Sequence, residues 1–156
     1  MRIKSIIFLI TIYFLNINNL YAIDPEVFIQ STVNRASKIL SEEITKEKKM
    51  VKLQDIAKDT VDIKGIGFYT LGSVRKTLND SQKNKYLELF EKYFLKSFSS
   101  RLAEYTNPEI NVNGKEVLNK NYTLVNSTLK ATSERPEIKI DWRIYTKNPE
   151  KPLIRD

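Results

Sequence analysis

Ile29, Val33, Ala36, Leu40 and Ile44 follow one another at spacings of 4, 3, 4 and 4 residues. That spacing winds one apolar stripe onto a helix predicted over residues 25–45. Asp24-Pro25 starts it, because the carboxylate can accept from the free N–H groups of the first turn and proline suits the first helical position. Lys46-Glu47-Lys48-Lys49 reads as a charged break, and Met50, Leu53, Ala57 and Val61 as a second, shorter helix. Val61–Gly67 reads as a connection, with Gly65-x-Gly67 a flexible turn, and Phe68-Tyr69-Thr70-Leu71-Gly72 as a last helical turn closed by glycine. Asn79 and Gln82 have the spacing of a capping box. They open the longest helix, expected to run to about Tyr105 and to stop before Asn107-Pro108. Its apolar row is Leu87, Phe90, Phe94, Phe98, Leu102 and Tyr105, with Tyr86, Leu89 and Tyr93 beside it. A face that wide exceeds what one packing partner requires.

After Pro108 the period changes from 3.6 to 2. Ile110 and Val112 precede Asn113-Gly114, a tight-turn dipeptide. Tyr122 to Thr132 is rich in β-branched residues, and Ser133-Glu134-Arg135-Pro136 supplies a turn. Ile138, Ile140, Trp142 and Ile144 then alternate strictly with Lys139, Asp141, Arg143 and Tyr145, the mark of a half-buried antiparallel strand. Lys151–Asp156 begins another strand. Helices followed by a meander of strands predict an α+β domain.

The N-terminus has a different pattern. Two cations, Arg2 and Lys4, precede eleven uncharged and mostly apolar residues, Ser5–Leu15, and a polar stretch ends in Leu20-Tyr21-Ala22. This is the tripartite form of a secretory signal. Eleven residues rise about 16 Å as a helix against roughly 30 Å of bilayer core, so cleavage after Ala22 is expected rather than a membrane-anchoring signal. The domain expected is residues 23–156.

Composition removes whole classes of chemistry. The chain has 156 residues, 26 Lys or Arg, 19 Asp or Glu, no His and no Cys. Its length suits one domain with a proper core. Without Cys or His there is no disulfide framework, no thiolate or imidazole metal site, and no Ser-His-Asp or Cys-His machinery. Removing the signal takes two cations and leaves 24 against 19 carboxylates. The lysines are scattered rather than clustered beside aromatic platforms, which argues against nucleic acid as partner; general attraction to anionic lipid surfaces fits better, with a merely soluble surface as the default reading.

Candidate catalytic groups are few. Ser73-Val74-Arg75-Lys76 fits Ser-x-x-Lys but lacks the companion motifs of that machinery. Glu88 and Glu91 are neighbours on the long helix, yet Lys85 and Lys92 surround them, as on a solvated, charge-balanced face. The aromatic excess carries more information. Phe68, Tyr69, Tyr86, Phe90, Tyr93, Phe94, Phe98 and Trp142 either fill a tight core between helix and sheet or line a cavity there, and composition leaves both open.

One set of short motifs is ordered along the chain. Asp24-Pro25 with Val27-Phe28-Ile29, Val61-Asp62-Ile63, Leu71-Gly72, Gln82, Phe90, Tyr105 and Ile140-Asp141-Trp142-Arg143-Ile144 together resemble the MlaC-type phospholipid-binding family, also called the toluene-tolerance auxiliary family. The resemblance implies a nuclear-transport-factor-two-like cone, with helices packed on a curved antiparallel sheet around an apolar cavity. It implies a periplasmic carrier with no enzymatic activity and no cofactor. Such carriers move phospholipid between an outer-membrane lipoprotein complex and the lipid-binding ring of an inner-membrane ABC transporter, and so maintain outer-membrane lipid asymmetry. Transient contact with a membrane surface goes with that role. After Leu-Gly the family usually has a bulky aromatic and a basic residue; here only the basic part is kept. Family members also continue into a further strand end and a C-terminal helix, so this domain is expected to lack them.

Periodicity and the fold resemblance together nominate Leu71, Leu87, Phe90, Phe94, Phe98, Leu102, Ile140, Trp142 and Ile144 as acyl-chain contacts. Two other readings stay open. One is an exported enzyme on the same cone with a buried carboxylate as base, for which Asp62 and Asp141 are the candidates. The other is an interaction protein with a solid core.

Overall fold

The computed structural model describes residues 22–133 and 135–156. The expected export signal, except Ala22, lies outside the described residues, as does Glu134 of the expected turn. Helix α1 spans Pro25–Leu40, α2 Lys46–Thr60, α3 Ile63–Thr70 and α4 Asp80–Leu102. A 3₁₀ helix, Gly72–Lys76, joins α3 to α4. Strands β1 (Ile110–Asn119), β2 (Tyr122–Leu129), β3 (Ile138–Tyr145) and β4 (Leu153–Ile154) form one antiparallel sheet in the order β1-β2-β3-β4. The domain is therefore α+β. Among the described residues no helix is long and apolar enough to cross a membrane.

Side-chain caps fix most helix starts. Asp24 accepts from the Glu26 N–H at 2.8 Å, with Pro25 following it. Asn79 and Gln82 close a reciprocal capping box on α4. Several boundaries differ from the sequence expectation. The first helix stops at Leu40, and the charged run 46–49 is the first turn of α2, because Thr45 caps it and straight-chain Lys and Glu are good helix formers. Residues 63–67 are helical rather than a connection or flexible turn, because Asp62 Oδ1 accepts from the Gly65 N–H at 2.9 Å and starts α3 there. Asn113-Gly114 lies inside β1, where the ladder to β2 shifts register between Val112 and Gly114. The hairpin turns instead at Lys120-Asn121, with Asn119 paired to Tyr122. Helix α4 ends at Leu102, before Tyr105, and the chain reverses through Asn107 at φ 47°.

The sheet's inner face alternates as its period requires. Thr123, Val125, Ser127 and Leu129 of β2 are buried. Ile29 and Val33 of α1 pack there with Val125, Ile144 and Ile154 in one solid cluster. A second cluster joins Ala57 of α2, Ile63 of α3 and Leu95 of α4. Helix α1 thus rests on the sheet, whereas α4 leans on α2 and α3. Gly67 makes this close approach possible, because an added Cβ would stand 2.9 Å from the Phe90 ring and 3.0 Å from Leu87.

Candidate functional site

The two clusters leave space between them. Where α4 stands away from the sheet there is a cavity of about 470 Å³. Its walls come from every layer: Val33, Ala36 and Leu40 of α1; Leu53 and Ile56 of α2; Phe94, Phe98 and Leu102 of α4; and Leu129, Ile140 and Trp142 of the sheet. Ile66, Tyr105, Pro108 and Ile110 complete them. Phe94, Phe98, Leu102, Ile140 and Trp142 are only half-buried: Phe94, Phe98 and Trp142 pack on the core clusters on one side, and all five border the unfilled space.

Three hydroxyls in this lining are bonded to backbone carbonyls. Thr32 donates to the Phe28 carbonyl at 2.8 Å, Thr60 to Ile56 at 2.8 Å and Ser37 to Pro108 at 2.9 Å. Trp142 Nε1 donates to Ser127 Oγ at 2.8 Å. These four groups are satisfied within the protein, and most of the surface left to an occupant is hydrocarbon and aromatic. Polar side chains gather at the sheet's far edge, where Asp141, Arg155 and Asp156 border the cavity. Arg155 Nε donates to Asp62 Oδ2 at 2.6 Å, and its guanidinium lies 4.0 Å from the Tyr145 ring centroid. Partial burial works against its charge, but the hydrogen bonds to Asp62 and Tyr122 outweigh that and raise its pKa. Arg143 pairs with Asp156 at 3.0 Å.

The nominated residues separate into two groups. Phe94, Phe98, Leu102, Ile140 and Trp142 are brought together around the cavity. Phe90 and Leu87 pack instead against α3 at Gly67, Leu71 is the C-cap of α3, and Ile144 is sealed in the core at 0% exposure. Sequence reasoning missed the contribution of α1 and α2, and above all the small residues Ala36 and Ser37. Their apolar spacing was visible, but it signals burial without saying what lies opposite.

The candidate catalytic groups are already engaged by other partners or lie on the surface. Asp62 uses one oxygen to cap α3 and the other to bind Arg155. Asp141 accepts from Asn126 Nδ2 at 2.7 Å on the exposed side of β3. Ser73 and Lys76 lie on the exposed 3₁₀ turn. Glu88 sits between Lys92 at 2.6 Å and Lys85 at 3.3 Å, and these hydrogen bonds, Lys92 first, hold its carboxyl below the usual range. Another depression, of about 520 Å³, borders Val27, Gln30 and Asn34. One helix, α1, supplies all its walls, so nothing closes over it.

The profile of the family described as "MlaC protein" matches residues 30–156. No curated protein matches the sequence. A solved structure of the phospholipid-binding protein from Ralstonia solanacearum, in complex with a phospholipid, superposes with a TM-score of 0.70 at 14% identity. The match covers 86% of this chain and 76% of that one, and at that identity it speaks for the fold.

Proposed function

This chain belongs to the MlaC family, and from that premise we propose that it is an exported, periplasmic phospholipid carrier. It takes up acyl chains between α4 and the sheet. It shuttles lipid between an outer-membrane lipoprotein complex and the lipid-binding ring of an inner-membrane ABC transporter, sustaining outer-membrane asymmetry. The observation that carries this reading is the chemistry of the cavity: about 470 Å³ walled mostly by aliphatic and aromatic groups, with the hydroxyls of Thr32, Ser37 and Thr60 bonded into the protein. The phospholipid bound by the Ralstonia protein of like fold supports the same ligand class here.

The energetics fit a carrier. A chain of about 15 carbons gains roughly 12 kcal/mol on leaving water, at about 0.8 kcal/mol per methylene. The same chain is already buried in a bilayer, so the cavity needs only to match the bilayer, and uptake is close to thermoneutral. Apolar walls suffice for that, and direction must come from the partners. Phe94, Phe98, Leu102, Ile140 and Trp142 are the proposed tail contacts. Leu71, Leu87, Phe90 and Ile144 hold the walls in place, and the headgroup lies toward Arg155 and Asp156. The role is binding rather than catalysis, since both Asp62 oxygens serve the fold.

Native mass spectrometry of detergent-free protein tests the reading. The wild type should carry a mass of phospholipid size that solvent extraction removes. Phe94→Glu should keep its helical circular dichroism and lose that mass. A wild type that flies empty, or a folded Phe94→Glu that retains lipid, would overturn it.

A further inference from the structure

A second feature lies at the other end of α4. Residues 63–79 contain no Asp or Glu but do contain Lys64, Arg75 and Lys76. Among the described residues no carboxylate is within ion-pair distance of these three. Over residues 63–96 seven Lys or Arg face three Asp or Glu. Apolar groups interleave with these cations: Tyr69 is 75% and Val74 53% exposed. The 3₁₀ turn has no buried residue. Gly72, at φ 54°, would meet nothing within 4 Å if it carried a Cβ, so this corner projects into solvent.

The corner is also physically continuous with the cavity. Helix α3 is held to α4 by the Thr70–Tyr86 hydrogen bond of 2.8 Å. From Tyr86 an aromatic row runs along α4 through Phe90 and Phe94 to Phe98, with successive ring centroids 5.9, 6.1 and 5.6 Å apart. Its last two members line the cavity. Twelve residues of helix carry that row about 18 Å.

The geometry points to the α3–3₁₀ corner as the surface by which this protein docks on an anionic lipid bilayer, with Tyr69 and Val74 entering the interface and Lys64, Arg75 and Lys76 meeting acidic headgroups. Exposed apolar tips among unpaired cations suit the headgroup boundary, where an apolar body and a charged head are both accommodated. A protein partner of the usual kind would place its apolar centre inside a polar rim; here the two are interleaved along α3 and the 3₁₀ turn that follows it. The inference rests on the carrier reading, because docking there sets the aromatic row between bilayer and cavity.

Flotation of the full chain with vesicles tests it, using phosphatidylglycerol–phosphatidylethanolamine vesicles against phosphatidylcholine alone. The wild type should float with the anionic vesicles, and added salt should release it. Arg75→Glu combined with Lys76→Glu should weaken flotation by about tenfold or more. Tyr69→Ser combined with Val74→Ser should weaken it too. Both double variants should keep their bound lipid in native mass spectrometry. Wild type that stays unbound, or either double variant floating as wild type does, would overturn the inference. A variant that floats normally yet no longer exchanges lipid with vesicles would separate exchange from docking at this corner and overturn it equally. Protein that floats but carries no lipid counts against the carrier reading alone.

Discussion

Ile144 and Trp142 stand two residues apart on one face of β3, yet one is sealed at 0% exposure and the other borders a cavity. The difference lies opposite them: Ile144 meets Ile29 and Val33 of α1, while Trp142 also looks toward the gap below α4. The same truncation should therefore have unequal costs. Ile144→Ala opens a new void in packed surroundings and should destabilise the fold by about 2–5 kcal/mol. Leu102→Ala enlarges a space that already exists and should cost about 1 kcal/mol, mostly lost contact area. Urea denaturation of lipid-free protein measures both, and equal losses would show that the space under α4 is filled. The alternation of Ile140, Trp142 and Ile144 was legible in the sequence, as was their shared face. Which of them touches a neighbour and which touches space was not, because period 2 encodes a face and not the length of the helix lying on it.

Helices and strands were legible wherever a period ran long. The 3.6 spacing of α1 and α4, the capping box at Asn79 and the alternation in β3 all appear where expected. The misread segments share a cause: a local cap or pairing overrode composition. Thr45 made a charged run helical, Asp62 made a glycine pair helical, and pairing with β2 drew Asn113-Gly114 into a strand. Asp24 shows how far a cap can reach. It starts α1 and also ion-pairs with Lys115 of β1, tying the helix to the edge strand. That hydrogen bond from Lys115, against slight desolvation and with help from the Glu26 N–H, holds the Asp24 carboxyl below the ordinary aspartate range. A folded-state value below the unfolded one gives stability that is fully present above the unfolded value and is lost as pH falls through the folded one. Lys115→Met should therefore be less stable than wild type at neutral pH, and the gap should close in strong acid. Since both partners are partly exposed, salt should narrow it as well. A stability difference that stays constant from neutral pH into strong acid would exclude this pair as its source.

At the scale of the molecule, the architecture sets how much lipid can enter. At about 30 Å³ per water-sized group, a methylene being of similar size, the cavity's volume of about 470 Å³ holds about 16 such groups. That is one acyl chain, so a two-tailed lipid requires the walls to part. Helix α4 packs on α2 and α3 rather than on the sheet, so any parting of the walls widens the gap between helix and sheet. The wide aromatic face of α4 was legible as more than one partner needs. The gap itself was not, since it arises from one helix resting on the sheet while α4 is held by the other two. The chain has no cysteine, so nitroxide labels can be placed cleanly at Lys96→Cys on α4 and Lys139→Cys on β3, both exposed positions. Loading solvent-extracted protein with a diacyl phospholipid should lengthen the distance between the labels measured by pulsed electron resonance. A lysophospholipid with a single tail should leave it as in the empty protein. Identical distances in all three states would mean that α4 does not yield, and that a second tail must lie outside the space between helix and sheet.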